Sequence, residues 1–81
     1  MTTRDETEYV AAVDLIGALI AACTARIDEA EEAGGDAEEW RQARTALVRE
    51  RSDLRPQDRE RVAHIRQHYP ARLRHVREAG R

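Results

Sequence analysis

The 81-residue sequence predicts an all-α fold, a three-helix bundle built from a long first helix, a shorter second helix folded back on it, and a third helix. Two observations carry this. Apolar residues at Tyr9, Val13, Ile16, Ile20, Cys23, Ile27 and Ala30 recur in alternating steps of four and three, the heptad spacing of one helical face. Strong breakers then fall at helix-length intervals, Gly34-Gly35 and Arg55-Pro56.

The first helix is expected over 4–33. Thr3 and Glu6 stand at capping-box spacing, in which a hydroxyl and a carboxylate each satisfy an orphan amide. Val10, Leu15 and Leu19 widen the apolar surface beyond the seam, and Gly17 costs about 1 kcal/mol relative to Ala, an expense suited to close packing. Gly34-Gly35 ends the helix, because glycine readily takes the left-handed C-cap conformation. Asp36 with Glu39 repeats the capping spacing and opens a second helix over 37–53, with Trp40, Ala43, Leu47 and Leu54 as its buried stripe. The short connection makes the pair an antiparallel hairpin. Pro56 suits the first position of a third helix, where a missing N–H costs nothing. That helix is expected over 56–69 with Val62, Ile65 and Tyr69 inward, a break near Pro70, and a short terminal helix over 71–79.

The whole of 1–81 is one domain with a thin core. Apolar residues make up 41 % of the chain, but 14 of them are Ala; only 19 are larger, with one Trp, two Tyr and no Phe. A single core of this size supplies about 3–5 kcal/mol, so small chains lean on disulfides, metals or association. Cys23 is the one cysteine, which excludes an intrachain disulfide. The opening residues are acidic and lack the basic start of a signal peptide. The apolar run from Val10 to Cys23, interrupted by Asp14, is short for a bilayer span. A cytoplasmic setting without membrane contact is the expectation.

Charge is divided between the halves. Residues 1–39 hold two Arg against eleven acids, about −9, and residues 40–81 hold twelve Arg against five acids, about +7. Lys, Asn and Phe are absent, which fits a GC-rich bacterial genome and discounts part of the Arg richness. Arg66, Arg72, Arg74, Arg77 and Arg81, with Tyr69 to stack on a base, form a candidate nucleic-acid surface. Against that reading, an up-down-up bundle brings the end of the third helix to the acid-rich first turn, where these arginines would neutralise Asp28, Glu29, Glu31, Glu32, Asp36, Glu38 and Glu39.

Catalytic and metal chemistry find little support. His64 and His68 stand four apart, with His75 a heptad later, but no Cys or general base accompanies them, so no metal or other cofactor is expected. Cys23 lies on the apolar seam and reads as a small hydrophobe, and Ser52, the only serine, as turn chemistry. The chain is therefore expected not to be an enzyme.

Length sets the expected docking surface. At 1.5 Å per residue the first helix is about 45 Å long and the second about 25 Å. The N-terminal half of the first would then overhang, leaving Tyr9, Val10, Val13 and Ile16 without an intrachain partner. The competing arrangement has the third helix folding under this end, or the first breaking at Gly17. The overhang suits a partner protein, or a second copy in a homodimer, since Val13, Ile20 and Ile27 at a positions favour two-stranded packing.

In size, helix order and long first helix, with the punctuation Gly34-Gly35, Arg55-Pro56 and His68-Tyr69-Pro70, the chain resembles the small three-helix antitoxins of the epsilon type, partners of zeta kinase toxins. The resemblance implies a bacterial toxin–antitoxin inhibitor whose first helix obstructs a pocket on the co-encoded toxin. Asp5, Glu6 and Glu8 would then oppose basic phosphate-binding residues there. A DNA- or RNA-binding regulator using Arg66, Arg72, Arg74 and Arg77 is the alternative, and a dimeric coiled-coil adaptor the third.

Overall fold

Thr3 begins the first helix as the spacing requires. In the computed structural model, which describes residues 3–80, its Oγ1 accepts the Glu6 amide at 3.1 Å while its own amide donates to Glu6 Oε2 at 3.4 Å. The helix, α1, runs Arg4–Glu32 and continues unbroken through Gly17. It ends in a full Schellman turn. Gly34 has φ +73, its amide donates to the Glu31 carbonyl at 3.0 Å, and the Gly35 amide donates to Ala30 at 2.8 Å. The second helix, α2, spans Glu38–Asp53, one residue later than expected. Asp36 Oδ1 takes the Glu38 amide at 2.9 Å without a capping box, and Ala37, not Asp36, is the N-cap, its side chain buried.

The third helix, α3, spans Arg59–Glu78 and departs from expectation at both ends. Pro56 does not open it. Pro56 sits in a turn closed by the Asp58 amide on the Arg55 carbonyl at 3.0 Å and the Arg55 amide on Asp58 Oδ2 at 2.9 Å. Nor does α3 break near Pro70, so no separate terminal helix over 71–79 exists. Val62, Ile65, Tyr69, Leu73 and Val76 form a single buried stripe running past the proline. Pro70 stands roughly 100° round the helix from that stripe. The carbonyl it orphans belongs to exposed Arg66, where water can satisfy it. Burial of Leu73 and Val76, each worth about 1.5–3 kcal/mol, outweighs one lost hydrogen bond.

Both α2 and α3 pack on α1, and no Cα of one comes within 8 Å of a Cα of the other. The molecule is thus a three-helix bundle with α1 as its shared wall, extending 49 × 21 × 20 Å. The core collects Ala12, Ile16, Leu19, Cys23 and Ile27 from α1, Leu47 from α2, Leu54 from the connection, and the α3 stripe. The inward face of α1 is turned slightly from the predicted seam: Ala12 and Leu19 are fully buried, while Tyr9, Val13 and Ile20 lie half-buried beside them.

The predicted overhang is largely filled. Arg59 Nη2 meets Asp5 Oδ2 at 2.8 Å, and at the far end Arg26 Nη1 donates to the Arg77 carbonyl at 3.4 Å, so α3 runs parallel to α1 from its first turn. The five-residue link from Leu54 to Asp58 climbs past the end of α2, and α3 then covers what α2 is too short to reach. Replacing Pro70 by Ala should restore one backbone bond without changing helical content and raise stability by about 1–3 kcal/mol. Denaturant unfolding followed by circular dichroism checks this; a loss of stability would mean that the proline is needed where it stands.

Candidate functional site

The docking residues expected from the sequence fall into three groups. Ile16 is completely buried, a core residue and not a contact, because α3 lies where the overhang was expected. Asp5 and Glu8 are engaged within the chain: Asp5 takes Arg59 through Nε at 2.9 Å as well as Nη2, and Glu8 takes Arg66, with Arg4 at 4.0 Å. Glu6 is committed to the helix cap but exposed. Tyr9 and Val13 are half-buried, and Val10, at 54 % exposure, is the barest large hydrophobic among the described residues. What survives is a narrower strip on α1, Glu6, Tyr9, Val10 and Val13, on the flank away from α3.

By length and composition α1 could cross a bilayer. Among its described large apolar residues Val10 alone is exposed; Tyr9, Val13, Leu15 and Ile20 are half-buried against the core. The apolar stretch is longer than the run expected from the sequence, since it reaches Ile27 across Thr24, Ala25 and Arg26.

The basic residues of α3 do not neutralise the turn between α1 and α2. Arg66 pairs with Glu8 at the opposite end, and α3 stops beside Arg26, short of the turn. Three of the acids there are paired with arginines from their own hairpin: Arg26 reaches Glu29 at 2.8 Å, and Arg41 reaches Glu31 at 2.5 Å and Glu38 at 3.8 Å. The Glu31 hydrogen bond also raises the Arg41 guanidinium further above its ordinary range. Arg72, Arg74 and Arg77 make no ion pair among the described residues, and Arg81 lies outside them; Arg72 lies over the Tyr69 ring, 5.1 Å from its centroid.

A cleft of about 530 Å³ opens between α2 and α3 over Leu47 and Leu54. At its centre Glu50 accepts the Tyr69 hydroxyl at 2.6 Å and pairs with Arg61. The sequence reading missed this carboxylate, although Glu50 sits three residues past Leu47, on the flank of a stripe position. With both partners made, Glu50 ties α2 to α3 instead of presenting a free base. The imidazoles of His64 and His68 lie 4.5 Å apart with their planes tilted by 40°, and no group of three or more His, Cys, Asp or Glu among the described residues is placed to hold a metal. Cys23 is buried, and desolvation pushes its thiol up against the opposing pull of Arg72 and Arg44.

No family model, curated protein or solved structure matches the chain. The site therefore rests on its own geometry.

Substitution separates core from surface. Ile16→Asp should abolish the cooperative helical signal, because a buried unpaired carboxylate costs more than the about 3–5 kcal/mol that such a core supplies. Val10→Asp should leave the melting temperature within a few degrees of wild type. Thermal circular dichroism distinguishes them, and equal effects would contradict the placement of either residue.

Proposed function

We propose that this chain is a non-catalytic helical interaction module that docks a protein partner through the open flank of α1, centred on Val10 and Val13. The observation that supports it is Val10, 54 % exposed on α1 beside half-buried Tyr9 and Val13 after both other helices have packed against that helix. A thin core gains from being covered, and an apolar helical strip with a polar edge is a recurrent docking element. In its narrower form the module is a cytoplasmic antitoxin-like inhibitor of a co-encoded bacterial toxin, a reading supported by size, helix order and the length of α1. Glu6 is then the acid left to face a basic partner, since Asp5 and Glu8 serve the fold. Co-expression with the product of the adjacent gene should give a stable complex that Val10→Asp weakens at least about tenfold while the fold is retained. Unchanged binding by the folded variant would move the contact elsewhere.

The second reading, a nucleic-acid-binding regulator, is favoured by Arg72, Arg74 and Arg77 having no acidic partner, with Tyr69 beneath Arg72. If it holds, Arg72→Glu with Arg74→Glu removes a salt-dependent shift of generic duplex. If the docking reading holds alone, wild type shows no such shift.

A further inference from the structure

The two helices that pack on α1 are held there unequally. α3 follows α1 from the Asp5–Arg59 pair to the Arg26 contact on the Arg77 carbonyl, and it buries Val62, Ile65, Tyr69, Leu73 and Val76. α2 reaches only the second half of α1, through Thr24 with Arg44 and Glu31 with Arg41. Within α2 Leu47 alone is buried. Trp40 and Ala43 are half-buried against the core, and Ala37 and Leu54 are buried just beyond the two helix ends.

The seam between α2 and α3 is open. No Cα of one lies within 8 Å of a Cα of the other, and the cleft of about 530 Å³ parts them over Leu47 and Leu54. Among the described residues, every hydrogen bond and ion pair between these two helices passes through one side chain, Glu50. Its Oε1 accepts the Tyr69 hydroxyl at 2.6 Å, and its Oε2 takes Arg61. The Glu50 side chain is only 14 % exposed, so solvent screens these contacts little. Without Glu50 the hydroxyl of buried Tyr69 loses its acceptor, and nothing polar spans the seam.

Both ends of α2 are turns. Gly34, at φ +73, stands in the one that joins it to α1, and the link 54–58 joins it to α3. Rotation about those two turns swings α2 outward and breaks no hydrogen bond within a helix. Beneath α2 lies Cys23, 1 % exposed, with Arg44 of α2 and Arg72 of α3 both close enough to act on its thiol. The cysteine therefore sits where the three helices meet, and it is reached from solvent only when one of them moves.

We infer that α2 is a lid on the α1–α3 pair, latched by Glu50, and that it opens as one unit to bare the seam around Cys23 while α1 and α3 stay together. Segments with few buried apolar contacts are the ones that open short of global unfolding. Leu47 and one bridging carboxylate secure α2 where five buried side chains secure α3. In the open form α1 keeps α3 along its length, so its own helix persists. The lid gives the chain a conditional apolar surface in addition to Val10, and it does not depend on the docking reading above.

Labelling of Cys23 by N-ethylmaleimide across a urea series, followed by mass, tests this against global unfolding followed by circular dichroism. In wild type the labelled form should be reached at least about tenfold more often than the unfolded chain, with a urea dependence less than about half as steep. Glu50→Ala should speed labelling by roughly tenfold or more, and Tyr69→Phe, which keeps the ring, by about threefold. Asp5→Asn cuts an exposed link of α3 with α1 and should leave labelling at low urea within about twofold of wild type. Labelling that tracks global unfolding in both rate and slope overturns the inference. So does a Glu50→Ala rate equal to wild type, or an Asp5→Asn rate that rises as much as that of Glu50→Ala. If Glu50→Ala does not fold, the wild-type slope and the Tyr69→Phe rate decide.

Discussion

Everything in this fold is anchored on one face of α1. Ala12, Ile16, Leu19, Cys23 and Ile27 supply the surface to which α2 and α3 are both attached, while those two helices meet each other only through side chains across a cleft. In a bundle where all three pairs of helices touch, loss of one contact leaves two. Here loss of the α1 face leaves the side-chain links of Glu50 with Tyr69 and Arg61. Each fully buried Ile or Leu is worth about 1.5–3 kcal/mol, comparable to a large share of what a core of this size can hold in reserve. The polar links at the edges then matter for register more than for strength: Glu50 between Tyr69 and Arg61, Asp5 with Arg59, Glu8 with Arg66.

Those links also account for the charge asymmetry of the two halves. The acid-rich first half and the arginine-rich second half meet along the N-terminal turns of α1, where parallel α3 sets Arg59 and Arg66 against Asp5 and Glu8. Exposed pairs of this kind contribute about 0–1 kcal/mol each. Their effect is to choose which end of α1 receives the start of α3. The turn between α1 and α2 keeps its own arginines, Arg26 and Arg41, leaving the last stretch of α3 with a positive edge.

Helix identity and the first two boundaries were legible because they depend on local chemistry: the Thr3–Glu6 box, the Gly34 turn and the stripe Val62–Ile65–Tyr69 all stand where spacing put them. The continuity of α3 through Pro70 was not, because it is decided by burial of Leu73 and Val76 against a helix distant in sequence. Periodicity was also blind to a rotation of tens of degrees. The heptad seam and the true core share Ile16, Cys23 and Ile27, but Leu19 and Ala12 took the places expected of Ile20 and Val13. That rotation, with the parallel course of α3, turned Ile16 from a candidate contact into a core residue. The candidate site shrank accordingly: Val10 stays exposed, while Tyr9 and Val13 are half-buried beside the core. Glu50 escaped notice because its role depends on a hydroxyl brought in by another helix.

With both other helices in place, Val10 on α1 and Val48 on α2 are the exposed large hydrophobics of the described residues. The account stands on α3 securing the first half of α1 as firmly as α2 secures the second. Native-state hydrogen exchange resolved by residue tests this most directly. Amides from about Val13 to Leu19 should share the slow exchange of those from Cys23 to Ile27 and lose it in the same cooperative opening. Fast, independent exchange of the earlier group would show a rod frayed free of α3 and would contradict the architecture described.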